Sequence, residues 1–83
     1  MSDAELIGRI TVNPKVMVGK PVIRGTRLTV DYILSRLGHG AEWDELLREY
    51  PGLAREDIRA CLLFASRTME STVFMPPQMQ PIS

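Results

Sequence analysis

Five cationic side chains, Arg9, Lys15, Lys20, Arg24 and Arg27, fall between Leu6 and Val30 with no acidic residue among them. Guanidinium and ammonium groups at this density suit phosphate oxygens or carboxylates, so the stretch can face nucleic acid or an acidic protein surface. On a bare hairpin edge the same cations also discourage unwanted strand pairing. From Asp31 to Glu70 the balance reverses, with eight acids against five arginines. Over the whole chain ten basic and ten acidic residues cancel.

The other reactive residue types are sparse. Gly19-Lys20 lacks the spacing of a phosphate loop, which needs Gly-x4-Gly-Lys and then Ser or Thr, whereas Pro21 follows here. His39, the single histidine, stands between two glycines at a helix end, where a capping role is expected. Cys61, the single cysteine, falls on an apolar stripe and reads as a small buried side chain. Neither a metal-binding His/Cys set nor the carboxylate cluster of a metal-dependent nuclease is visible, so no cofactor and no enzymatic activity are expected. Thr26 and Arg27 are expected to pin a turn, with Arg27 paired to Asp31 or Asp57.

The segment Gly19 to Val30, with two glycines and a proline around short apolar runs, must position these cations. Leu6–Val12, Val16–Val18 and Val22–Ile23 predict two or three short strands, with Asn13-Pro14 turning the chain. Thr29 is the expected N-cap of the first helix. Val30, Ile33, Leu34 and Leu37 recur at helical spacing, and Gly38-His39-Gly40 stops them. Trp43, Leu46, Leu47 and Tyr50 repeat the spacing up to Pro51-Gly52. A third helix is predicted from about Arg55 to Glu70. The second and third helices, joined by residues 50–54, have the order of a helix-turn-helix, which would aim Arg55 and Arg59 at DNA. Glu56 and Asp57 oppose that role, leaving Lys20, Arg24 and Arg27 as an equally good nucleic-acid surface.

The third helix carries more apolar residues than one stripe needs. Ile58, Cys61, Leu62, Ala65 and Met69 form one face, while Ala60, Leu63 and Phe64 fall nearly opposite. Either the helix is central, or Ala60, Leu63 and Phe64 meet a second subunit in a homodimer or higher oligomer. A domain of 83 residues has little material to cover both sides, which favours the second subunit. Residues 1–5 are expected to fray, residues 6–70 to form the domain, and residues 71–83 to run as an extended apolar tail. In that tail Val73, Phe74, Met75 and Met79 are the expected contacts to a partner. One cysteine, no run of 18 apolar residues and an acidic start lead to the expectation of a cytoplasmic protein without membrane association.

The block Gly19-Lys20-Pro21-Val22-Ile23-Arg24-Gly25-Thr26-Arg27 resembles the hallmark of a small prokaryotic family, domain of unknown function 433, the VapB-like antitoxins. The likeness continues through Val30, Leu34, Leu37, Leu47, Tyr50-Pro51, Leu53, Glu56-Asp57-Ile58 and Ala60, covering roughly Ile10 to Ala65. The resemblance implies a mainly α, homeodomain-like or winged-helix-like three-helix domain preceded by a short β element. It also implies an antitoxin paired with a PIN-like ribonuclease toxin, with autorepression through operator DNA as a companion role. A stand-alone helix-turn-helix regulator is the alternative. Ala41 and Ala54 stand where relatives tend to carry Ser or Thr, which weakens both helix starts by about 1 kcal/mol each.

Overall fold

The computed structural model describes residues 1–70. The fold is mainly helical: α1 (Asp3–Ile7), β1 (Ile10–Val12), β2 (Pro21–Ile23), α2 (Val30–Gly38), α3 (Trp43–Glu49) and α4 (Arg55–Glu70). The strands pair antiparallel, with Ile10 opposite Ile23 and Val12 opposite Pro21. Around α4, the longest element, are packed α1, β1, α2 and α3.

Local chemistry accounts for most boundaries. Thr29 accepts the Tyr32 amide at 3.2 Å and so caps α2, as its hydroxyl predicts. Gly40, at φ +98°, follows the helix where a left-handed residue is needed. After β2, the Thr26 amide donates to the Ile23 carbonyl and closes a turn whose third residue, Gly25, takes φ +79°. Thr26 then pins it from both sides: its hydroxyl donates to the Ile23 carbonyl at 2.7 Å and accepts the Leu28 amide at 3.0 Å.

Two sequence expectations about the N-terminal part are corrected. Residues 3–7 are helical rather than frayed or extended, because Ser2 and Glu5 form a reciprocal capping box. Leu6 from this helix is buried, and Asp3 reaches Arg67 of α4 at 3.2 Å. Residues 17–19, expected as part of a strand, make a 3₁₀ turn in which Met17 and Val18 sit at φ +50° and +56°. A left-handed conformation costs a β-branched residue about 1–2 kcal/mol.

The central position of α4 resolves its surplus of apolar residues. Ala60 has no exposed surface and belongs to the core with Ile33, Leu46, Ile58 and Cys61, so it is unable to serve as a subunit contact. Leu63 and Phe64 are half-buried against the same core. Part of the cover comes from α1, the element the sequence reading lacked; Leu62 and Met69, expected on the buried stripe, are instead 42% and 55% exposed. The tail contacts expected at Val73, Phe74, Met75 and Met79 lie outside the described residues.

One buried carboxylate joins the two ends of the fold. Asp57, 6% exposed in the first turn of α4, accepts the Ala54 amide at 2.9 Å with one oxygen and the Arg9 guanidinium at 3.0 Å with the other. Ala54 has no hydroxyl to cap α4, but Asp57 satisfies its amide from the third helical position. Asp57→Ala is expected to destabilise the chain by about 2–4 kcal/mol, because the amide and the guanidinium both lose their acceptor. The thermal midpoint should fall by roughly 10 °C or more, while Asp44→Ala, at an exposed pair, should leave it almost unchanged.

Candidate functional site

The basic stretch of the sequence divides into paired and unpaired cations. Arg9 is held by Asp57, and Lys20 lies 3.3 Å from Asp31 in an exposed pair of the kind that contributes little. The Thr29 hydroxyl, with Lys20 in support, holds the Asp31 carboxyl below its usual range. Lys15, Arg24 and Arg27 have no carboxylate within ion-pair distance among the described residues. The expected pairing of Arg27 with Asp31 or Asp57 is therefore corrected: both acids are already engaged, and Arg27 stands exposed on the turn after β2.

Backbone contacts position Arg24. Its amide donates to the Arg9 carbonyl at 2.8 Å and its Nε donates to the Gly8 carbonyl at 3.1 Å. With Arg9, Gly8, Glu5, Met1 and Asp57 it lines an open cavity of about 490 Å³. Although Glu5 and Asp57 line the same cavity, Arg24 makes no ion pair among the described residues, and with Arg27 it extends a cationic surface beyond β2. Phosphate oxygens or protein carboxylates are what such a surface accepts.

The arginines of α4 are placed differently. Arg55 pairs with Asp44 at 3.0 Å and lies 5.3 Å from the centre of the Trp43 ring, which ties it to α3. Arg59 is exposed beside Asp3, Leu6, Leu62 and Leu63, on the α1 side of the helix. Neither Arg55 nor Arg59 lines the cavity that contains Arg24.

A polar network between α2 and α3 was not found from the sequence. Arg36 reaches Glu49 through two bonds of 2.8 and 2.9 Å, Glu45 at 3.3 Å and the Tyr32 hydroxyl at 3.1 Å. Tyr32 and Tyr50 join through their hydroxyls with rings at 87°. The Tyr50 hydroxyl, then Arg36, pulls the Tyr32 pKa down, and Arg36 pulls the Glu49 carboxyl down. The available signal was the four-residue spacing of Tyr32 to Arg36 and Glu45 to Glu49, which places each pair on one helix face. This network clamps two helices and presents no free nucleophile.

His39 behaves as a cap, its Nδ1 donating to the Ser35 carbonyl at 2.7 Å. Cys61 is fully buried, and desolvation, helped by the Asp57 charge, pushes its thiol up to about 12. Thiol reagents at pH 8 should therefore label the native chain only as fast as it unfolds. Labelling as rapid as in denaturant would contradict this placement.

A crystal structure of a DUF433 member protein from Anabaena variabilis superimposes with a TM-score of 0.72 and 34% identity, covering 81% of this chain and 66% of that one. The uncharacterized protein y4eO of Sinorhizobium fredii is 32% identical over 56 residues, which is 68% of this chain but 25% of y4eO. An uncharacterized protein of Archaeoglobus fulgidus is 70% identical over 23 residues, 28% of this chain and 64% of that protein. The chain thus spans a quarter of the first relative and under two thirds of the second. The family profile described as protein of unknown function (DUF433) matches residues 10–65, and with the hairpin, turn and helices that those residues build, the chain belongs to the DUF433 family.

Proposed function

We propose that this protein is a non-enzymatic antitoxin that binds and neutralises a PIN-like ribonuclease in the cytoplasm. The observation that carries the reading is the exposed pair Arg24 and Arg27, which lacks carboxylate partners among the described residues although acids are plentiful elsewhere in the chain. A nuclease that holds metal ions in an acidic groove offers the complementary surface. Arg24 and Arg27 would cover that groove or its entrance, and the uncharged segment 71–83, with Val73, Phe74, Met75 and Met79, would add apolar contact.

A second reading, a helix-turn-helix regulator, is supported by the order of α3 and α4 and by Arg59, exposed and without a carboxylate partner among the described residues. Lys20, Arg24 and Arg27 could hold phosphates in either a stand-alone or an autorepressing version. Arg55 suits this role less well, because Asp44 already neutralises it. Both readings need one cationic surface, and salt dependence together with charge reversal separates them.

The double variant Arg24→Glu/Arg27→Glu should bind the ribonuclease encoded by the adjacent gene about a hundredfold more weakly than the unaltered chain, with nuclease activity restored. Equal inhibition by both proteins would defeat the antitoxin reading. For upstream DNA, Arg59→Ala should lower the slope of log affinity against log salt by about one. Absence of DNA binding by the unaltered chain at low salt would remove the regulator.

A further inference from the structure

Much of the exposed apolar surface falls at two adjoining places. The first is the tip of the hairpin, where Val12, Met17 and Val18 are exposed and Val18 reaches 95%. The second is an apolar groove of about 300 Å³ between β2, α2 and α4, lined by Pro21, Val30, Leu34, Phe64, Ala65 and Met69. The Lys20–Asp31 pair also borders it. Strand pairing links the two features directly, since exposed Val12 lies opposite Pro21 in the sheet.

The tip has an unusual build for a simple reversal of the chain. Met17 and Val18 both occupy the left-handed region, where glycine or asparagine is the ordinary choice. An aliphatic, β-branched side chain is held outward against its own backbone preference. Such a side chain gains from the conformation only if an apolar surface receives it.

The geometry points to a second copy of this chain as the occupant of the groove, each protomer placing its Met17–Val18 tip in the groove of the other. A two-fold contact requires one patch to supply both the inserting and the receiving half, and tip and groove adjoin across Val12 and Pro21. Charge agrees with this exchange. Lys15 near the tip has no carboxylate partner among the described residues, and Asp31 on the groove rim is held only by its exposed pair with Lys20, which an incoming cation can share or displace. The partner's Lys15 would meet Asp31 as the tip enters. This contact differs from the α4 surface expected from the sequence, whose Ala60 is inside the core. It is independent of what Arg24 and Arg27 bind.

Sedimentation equilibrium of the full chain tests the exchange with Val18→Asn, which removes the aliphatic side chain but tolerates the left-handed conformation, and Ala65→Glu, which charges the groove. Circular dichroism melts establish that each variant is folded, and Val18→Gly serves as a second tip variant. The unaltered chain is expected to dimerise, and each variant to associate at least about tenfold more weakly. Mixing Val18→Asn with Ala65→Glu should restore part of the association, because the hybrid keeps one intact tip in one intact groove. A monomeric unaltered chain at high concentration would overturn the proposal. So would a mixture no tighter than either variant alone. Full dimerisation of folded Val18→Asn would overturn it too, leaving the groove to residues 71–83 or to a different protein.

Discussion

The carboxylate of Asp57 has to satisfy two donors far apart in the sequence, the Ala54 amide and the Arg9 guanidinium. One oxygen takes the amide that opens α4, and the other takes Arg9 immediately before β1. A buried charge with one partner missing is costly, so the first turn of α4 and the start of the hairpin are constrained together. The constraint propagates along the backbone: the Arg9 carbonyl receives the Arg24 amide, and the Gly8 carbonyl receives the Arg24 side chain. Thus a single acid on a helix orients the cationic hairpin that the proposed function uses.

Apolar packing then fixes the remaining elements about that link. Ile58 and Cys61 follow Asp57 by one and four positions and are completely buried, so the carboxylate and the centre of the core occupy neighbouring turns of α4. Ile10 and Ile23, opposite each other in the sheet, bring both strands to the same core. The Arg36 network adds a polar clamp between α2 and α3 at the surface. Its individual pairs are exposed and contribute modestly, but their shared guanidinium restricts how the helices can slide. The described surface is accordingly braced through Asp57 beneath the hairpin and apolar beside it.

Periodicity made the three longer helices legible, and Thr29 and Gly40 marked the two ends of α2 through well-understood backbone needs. The short N-terminal helix was readable as well: Ser2-Asp3-Ala4-Glu5 has the spacing of a capping box, but its polar composition resembles a frayed end. Missing it left α4 with too little cover and led to a subunit interface at Ala60, a residue enclosed by its own chain. The partner of Asp57 was harder to identify, because eight cationic residues precede it and sequence separation carries no information about which one reaches a buried helix start. Arg27 was the expected candidate; Arg9, forty-eight positions from Asp57, is the actual one. Cationic composition identified the candidate surface, whereas the division between neutralised and free cations arises only from folding.

A double-mutant cycle on thermal or denaturant unfolding, using Arg9→Met, Asp57→Asn and the pair together, tests whether this link organises the chain. The account predicts that the two substitutions are strongly non-additive, with a coupling free energy of about 1–3 kcal/mol. Additive losses within about 0.5 kcal/mol would contradict it, showing that the hairpin and α4 are held together without communication through Asp57.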